Sequence, residues 1–534
     1  MRSLSSLAAP AVVLLVGACS VFGTEDPGSQ AQEAPPPPPQ DPATNANPPV
    51  TGAPLVGVFV SSSHGRDDAS GNSGPEALKT LGAAIKRAKE RGQRVLACAE
   101  TYTESVVLVD GVSMFGGFDC SQADGWRAGP TRTRIEAPTS PALAATGINL
   151  ETRVDGFELT APSFDKEAPS DAPRSSVGAE IRGSARLTIA NSILRAGAAG
   201  SGKDGVEGAT NVENATAFAR TGGDATPAGG SNLCPYFGGC AGRTSFGGSF
   251  GGTSSCAVGA AGGPGGRGGD GQLLVGAGAC AAIEVRGQPF VATASTAKGS
   301  IGYCQDYNSG GPVRFFYGGG DRGANGADGA DGTNGTWSLS QTGEFVAGAG
   351  TAGKDASPGQ GGGGGGGANF NSNCNSLCPN GPALTAYRWS SAGGGGGAGG
   401  CAGLAGTPGT GGGASIGALV VDSQLTFVGT RLASAQGGAG GAGTLGSAGL
   451  AGANGGATAD QGGSGGVGGR GGAAGLSGHG APGPSIALAY SGQRPSLETS
   501  ELVPGPGGDG RSALTKAGHV LPAVAGEALA ERKF

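Results

Sequence analysis

Side chains able to do acid–base, nucleophilic or metal chemistry are sparse in this sequence, and each candidate has an ordinary structural reading beside the chemical one. There are three histidines, His64, His479 and His519. His479 stands in "GHG" from Gly478 to Gly480, inside a glycine run, without the paired carboxylates that supply acid and base for glycosidic-bond hydrolysis. Asp67 and Asp68 are adjacent carboxylates that together suit a calcium ion, although in a loop such residues more often cap turns. The run "GGRGGDGQL" beginning at Gly265 nearly fits a calcium-binding nonapeptide, but Gln272 stands where an apolar side chain should point inward, and there is one near-copy only. These residues predict no catalytic group, no metal site and no cofactor.

The cysteines carry more information. Arg2 is followed by an apolar stretch from Leu7 to Val16 and then Val16-Gly17-Ala18-Cys19, which reads as a signal peptide over residues 1–18, too short to span and remain in a membrane. Those last four residues resemble the bacterial lipobox. The resemblance implies that Cys19 is diacylated, becomes the first mature residue and tethers the chain to a membrane, and Ser20 after it favours the outer membrane over the inner. The expected location is therefore the outside or the periplasmic side of a bacterial outer membrane. Ten cysteines remain: Cys98, Cys120, Cys234, Cys240, Cys256, Cys280, Cys304, Cys374, Cys378 and Cys401. An even number in an exported chain predicts disulfides. Cys98 with Cys120, Cys234 with Cys240 and Cys374 with Cys378 are plausible local pairs, and spacing leaves the connectivity open. Zinc is disfavoured because Cys374 and Cys378 have no second close pair or histidine nearby.

The elements that must position these residues are set by an unusual composition. Glycine numbers 115 of 534 residues, about three times its usual share of roughly 7%. Aromatics are only 5% and charged residues 14%, with a net charge of -6, too little charge for a self-repelling coil, so order must come largely from backbone hydrogen bonds. No basic face is available for phosphate, which excludes nucleic acid as an expected partner. Residues 19–54, containing "APPPPPQDPATNANPP", read as a lipidated cysteine followed by a stiff tether, on the order of 100 Å long at about 3.1 Å per residue.

Residues 55–200 are the most ordinary globular part. Val56, Val58 and Val60 alternate as a strand, and a helix is expected from Pro75, with Leu78, Leu81, Ile85 and Ala88 on one stripe and Gly92 at its end. Short strands follow in "RVLACA", "SVVLVDG" and "VSMFGGF". These residues resemble the N-terminal cap and first coils of right-handed parallel β-helix proteins of the pectin-lyase-like superfamily. "VLACAETYTESV", from Val95 to Val106, matches that superfamily's "V-x-x-C/A-x-x-T-Y-x-E" strand. The resemblance implies an all-β fold, a right-handed parallel β-helix with an N-terminal cap helix, and says nothing specific of activity. The "GHG" echoes polygalacturonases, themselves β-helices, and without their aspartates it reads as accidental.

One unit then recurs: "TGINLETRVDGFELTAPS", "GAEIRGSARLTIANSILRAG", "CAAIEVRGQPFVATASTAKG", "IGALVVDSQLTFVGTRLASAQG" and "IALAYSGQRPSLETSELVPG". Each reads as two short alternating strands parted by a corner, one coil of a β-helix whose third side is replaced in later copies by a glycine-rich excursion of roughly 30 to 100 residues. Residues 201–510 are thus expected to be coils with excursions, and 511–534 a C-terminal tail.

Within the excursions glycine keeps a beat of three, as in Gly437, Gly440, Gly443, Gly446, Gly449, Gly452 and Gly455. Collagen is disfavoured by the shortage of proline and the short runs. A polyproline II helix also has three residues per turn, so such glycines form a bare edge where neighbouring backbones can approach and hydrogen-bond. This predicts bundled helices like polyglycine II, in which valine at Gly446 is disruptive and valine at Ser447 is not. The functional expectation is a non-enzymatic cell-envelope lipoprotein, adhesin-like or structural, with polysaccharide or another envelope surface as partner. The alternative is a carbohydrate-binding or carbohydrate-active β-helix protein, by fold analogy alone.

Overall fold

The computed structural model describes residues 46–49, 54–121, 125–210, 319–365, 393–457, 463–516 and 518–534, with residues 224, 249–254 and 256 and six short strands at 245–246, 271–272, 285–286, 301–302, 368–371 and 388–391. The expected signal peptide, Cys19 and most of the tether lie outside the described residues.

Short alternating runs cannot bury an apolar face alone, so they stack rung upon rung. Val95–Cys98, Thr101–Tyr102 and Val106–Leu108 enter three different sheets, here called one, two and three, and each later turn of the chain visits the sheets in the same cyclic order. Leu187–Ala190, Ile193–Arg195, Ser415–Val421, Leu425–Val428 and Arg431–Ala433 continue the cycle, and all the stacked strands pair in parallel. The protein is β-rich with few helices, an arrangement consistent with a parallel β-helix. Leu425 and Phe427 lie in register with Leu187 and Ile189 of the preceding rung, and together with Phe157, Leu159, Val420, Leu432 and Leu488 they belong to one buried cluster.

The corners have their own chemistry. Asn191, Asp422 and Thr499 turn the chain with φ of 47°, 45° and 50°, the left-handed region that short polar side chains tolerate best. A serine follows each of them. Its hydroxyl accepts a backbone N–H from an adjacent rung: Ser192 from Phe157 at 3.2 Å, Ser423 from Ser184 at 3.0 Å and Ser500 from Thr430 at 3.1 Å. Backbone donors that the bend frees from the ladder are thereby satisfied.

At the N-terminal end the helix α1 spans Leu81–Arg91, six residues later than the proline suggests, because Gly74–Glu76 forms a separate 3₁₀ turn. Thr80 caps α1 by accepting from the Ala83 N–H, and Gly92 ends it with φ 62°. Leu81, Ala84, Ile85 and Ala88 are the buried stripe.

Three expectations need correction. The excursions do not replace the third side of a coil: Ile193–Arg195, Arg431–Ala433 and Glu501–Val503 all supply strands to sheet two, and the glycine-rich chain leaves after them. The third sequence copy supplies no rung, since Leu187–Ala190 pairs directly with Leu425–Val428, while Val285–Arg286 pairs antiparallel with Ile301–Gly302. Residues 511–534 are not a tail, because Leu514–Lys516 and His519–Leu521 form a hairpin and Ala528–Lys533 closes sheet three against Ser485–Tyr490. In the first two cases alternation identified strand-like segments without identifying their neighbours, and in the third the edge of Ser485–Tyr490 that the last strand covers exists only in the folded coil.

The excursions pack as extended segments, numbered I to VII here: 197–208, 319–335, 348–365, 393–413, 435–457, 463–484 and 504–511. Their hydrogen bonds advance three residues at a time. Segment II donates to VI from Gly320, Gly323, Gly326 and onward to Gly335, and IV donates to VI from Gly394, Gly397, Gly400 and Gly403. Segment VI in turn donates to V from Gly465, Gly468 and Gly471 and to III from Gly466, Gly469 and Gly472. A repeat of three is that of a polyproline II helix. A Cβ at Gly468 would sit 2.0 Å from the Ala398 carbonyl oxygen, and one at Gly469 1.9 Å from that of Ala324. Glycine spacing therefore reports neighbours: VI, enclosed on most sides, needs two bare positions in three over 465–472, whereas the edge segment II needs one.

Candidate functional site

Carboxylates near the first rungs are committed to the backbone. The Asp67 carboxylate accepts from the Lys79 and Thr80 N–H groups, both at 2.9 Å, and from the Thr80 hydroxyl. Glu104 accepts from Leu81 and Gly82 at the start of α1. Asp68 pairs with Arg66 at 3.5 Å. The turn-capping reading of Asp67 thus describes its contacts, and among the described residues no group of three His, Cys, Asp or Glu is placed to hold a metal ion.

Glu100 gathers Ser61, Ser62 and Ser63, with His64 Nδ1 2.7 Å from the Ser63 hydroxyl. This places a serine, a histidine and a glutamate together, but in the wrong order for nucleophilic catalysis. Glu100 binds the serine rather than orienting the imidazole, from which it stands 3.9 Å away. Ser63 has one proton, and giving it to Glu100 leaves His64 to donate to the serine oxygen, the reverse of a general base. Burial acts to raise the Glu100 pKa, but hydrogen bonds from Ser63, Ser62 and Ser61 outweigh it and hold the carboxyl below its ordinary range. The cluster is a loop clamp.

The outer face of sheet two collects charges from separate rungs. Glu158 stands between Arg134 at 3.6 Å and Arg195 at 3.7 Å, and Arg431 pairs with Glu501 at 3.7 Å. Glu158 is half-buried, but its arginine partners and the Arg431–Glu501 pair are open to solvent, so each pair contributes about 0–1 kcal/mol. Cys98 and Cys120 are joined as spacing suggested, and Cys256 is joined to Cys401 within segment IV, a pairing spacing did not suggest. Cys234, Cys240, Cys280, Cys304, Cys374 and Cys378 lie outside the described residues, as do Cys19 and the Gln272 side chain.

His479 lies in segment VI and is only 2% exposed. Its Nδ1 accepts the Gly443 N–H at 2.9 Å, so the imidazole serves as a buried acceptor inside the bundle, in keeping with an accidental "GHG".

The bundle is the largest ordered feature that the rungs position, and its stitching includes residues that sequence reasoning passed over. Along segment II, Asn325, Asp328, Asp331 and Asn334 each accept, through Oδ1, the N–H of Arg470, Ala473, Leu476 and His479 in turn, at 2.7–3.0 Å. The glycine after each, Gly326, Gly329, Gly332 and Gly335, donates back to the carbonyl of that same residue. Asp204 and Gly205 clasp Ala442 in the same way. Asn-Gly and Asp-Gly ordinarily signal turns. Here their recurrence every third residue was the available signal for a two-bond clasp. Asp328→Ala should cost about 1 kcal/mol by stranding the Ala473 N–H, and Asp328→Asn, which keeps Oδ1, should cost far less. Amide exchange at Ala473 reads the difference, and equal exchange in the two variants would refute the clasp.

Residues 365, 393, 457 and 463, which border the undescribed stretches 366–392 and 458–462, lie at one end of this bundle, whereas segment I ends beside Leu404, midway along segment IV. Gly365 and Gly394 are bonded to each other, Gly394 to Gly463, Gly320 to Ser464 and Gly456 to Gly395. The opposite ends, at Gly413, Gly438 and Gly483, run into the rungs of sheet three and sheet two. No family model matches the chain, and no curated protein or solved structure matches it.

Proposed function

We propose that the chain is a non-enzymatic cell-envelope lipoprotein, held to the outer membrane by diacylated Cys19, in which a glycine bundle of polyglycine II character projects from a right-handed, pectin-lyase-like coil and presents the cysteine-bearing excursions 211–318 and 366–392. The single observation that carries this reading is the three-residue hydrogen-bond repeat that runs without a gap from Gly320 to Gly335 between segments II and VI and joins the rung end of the bundle to its far end. Segment VI alone, at about 3.1 Å per residue, is on the order of 60 Å long. A spacer of this kind needs few large apolar side chains, which fits an aromatic content of 5%. Half of residues 19–54 are proline, alanine or glutamine, with little to bury, which suits a chain that stands off a membrane.

Cys19→Ala should leave a soluble, unlipidated product. Metabolic labelling with palmitate reads this directly, and label persisting in the variant would sink the anchor. The second reading, polysaccharide binding or cleavage, draws on the charged row of Arg134, Glu158, Arg195, Arg431 and Glu501 along sheet two. Incubating the protein with a polysaccharide panel separates the two, since new reducing or unsaturated ends require an enzyme.

A further inference from the structure

Segment VII is the shortest of the seven, and the lane it occupies runs on without it. Segments V and VI lie antiparallel in a fixed register: a Cβ at Gly437, Gly440, Gly449, Gly452 or Gly455 would lie 2.1–2.3 Å from the carbonyl oxygen of Gly483, Gly480, Gly471, Gly468 or Gly465 in turn. VII uses the rung end of this pair. Gly437 and Gly440 donate to the Pro506 and Asp509 carbonyls, and Gly508 donates to that of Gly483. The chain then turns away, since the Arg511 N–H goes to Val524 and the following hairpin, Leu514–Lys516 with His519–Leu521, is held to segment II at Asp331 and Asn334.

Gly443, next in the row, donates to His479 Nδ1 instead, at 2.9 Å. Beyond it the N–H groups of Gly446, Gly449, Gly452 and Gly455 meet no acceptor among the described residues, and the carbonyls of Ala474, Gly471, Gly468 and Gly465 opposite them meet no donor. A polyproline II helix returns to the same side every third residue, so these groups point where those of Gly437, Gly440 and Gly483 point. Gly446 and Gly449 are buried and Gly452 and Gly455 half-buried, and buried backbone donors are rarely left unpaired.

We propose that this lane is a binding site for a strand of another protein: a single polypeptide in polyproline II conformation, parallel to V, with glycine at every third residue. Its chemistry is fixed by what VII does at the rung end. In each triplet VII offers one carbonyl to V and, two residues later, one N–H to VI, as Pro506 and Gly508 do. The donating residue has to be glycine, because a Cβ at Gly508 would lie 1.9 Å from the Gly438 carbonyl oxygen. The accepting residue can be proline, because it uses no N–H. Four vacant triplets at about 9.3 Å each call for about twelve residues. A β-strand, with its repeat of two, does not keep step with such rows, and an α-helix has its backbone groups bonded to itself. The lane also fits an uncharged strand. Over residues 446–455 and 464–474 Arg470 is the one ionisable side chain, and it reaches across to the Gly449 carbonyl at 3.4 Å, a long contact that an arriving strand displaces. This is strand addition of the kind that sheet edges support, carried over to a repeat of three. It is independent of the anchor at Cys19 and goes beyond the bundle's role as a spacer.

Amide exchange of the full chain with and without added peptide tests this. The probe is a peptide of four Pro-Ser-Gly triplets, and the control is one of four Pro-Ser-Ala triplets, which adds a Cβ at the contact. Saturating Pro-Ser-Gly peptide should slow exchange at Gly446, Gly449, Gly452 and Gly455 about tenfold, with Gly441 and Ser415–Val421 unchanged, and the control peptide should leave all of them unchanged. Equal slowing by the two peptides, or none with Pro-Ser-Gly at about 1 mM, overturns the proposal. So does exchange at the four glycines that is already as slow in the chain alone as at Gly468, whose N–H is bonded to Ala453, because the lane is then filled by the chain itself or by a second copy.

Discussion

Gly468→Val is expected to lower stability by about 3 kcal/mol, at the upper end of overpacking costs, while Val467→Ala one residue away changes it by less than about 0.5 kcal/mol. A Cβ at Gly468 would lie 2.0 Å from the Ala398 carbonyl oxygen and 2.5 Å from its carbon, and these are backbone atoms that no rotamer change can move aside. Separating segments VI and IV there also stretches the Gly397 bond to Gly466 and the Gly400 bond to Gly469, each worth about 1 kcal/mol. Val467 lies on the exposed stripe at 39% exposure, so truncating it leaves the backbone contacts intact. Gly446→Val should act in the same direction, with contacts of 2.6–2.8 Å to Gly475 and Ala474. Ser447 is a poor control for it, contrary to expectation, because its hydroxyl accepts the Leu404 N–H at 2.7 Å. Exposed Ala448 is the better one. Thermal unfolding with amide exchange of segments IV to VI measures the effect, and equal, small changes for Gly468→Val and Val467→Ala would discard the packed bundle.

Phe427→Ala is expected to cost about 3–5 kcal/mol. The ring is fully buried and lies between Ile189 on one rung and Leu497 on the next, in register with both. Each rung contributes few large side chains, so the cavity left by the ring has little that can collapse into it, and the loss should be felt in both adjacent rungs. Thr426→Ala on the same strand, half-buried and facing outward, should cost well under half as much. Denaturant unfolding of the two variants checks this, and comparable losses would mean that the strand's inward face has been misassigned.

What was legible in the residues was local and periodic. Alternation in "LTFV" assigns Leu425 and Phe427 to one face because side chains on a strand alternate, and a glycine every third residue marks a bare edge because a three-residue turn brings that position round to the same side. The cap helix, the Cys98–Cys120 pair and the turn-capping reading of Asp67 are local for the same reason: their partners lie within a few tens of residues. Periodicity cannot say which edge meets which. Segment VI meets II, III, IV, V and VII through nearly interchangeable glycine faces, and many registers three residues apart would satisfy the same beat. The rungs at Gly413, Gly438 and Gly483 pin one register, and only with that register in place do Asn325, Asp328, Asp331 and Asn334 fall opposite the N–H groups they clasp. The same holds for Cys256 against Cys401, for the "CAAIEVRG" copy that reads as a rung and is bypassed, and for residues 511–534, whose hairpin and last strand acquire an apolar or polar face to cover only once the bundle and sheet three exist. The sequence by itself determined the kinds of surface this protein makes, because those follow from the repeat along one strand or helix. The tertiary structure alone decided their pairing, because the hydrogen bonds and contacts that select a partner are made between residues far apart in the chain.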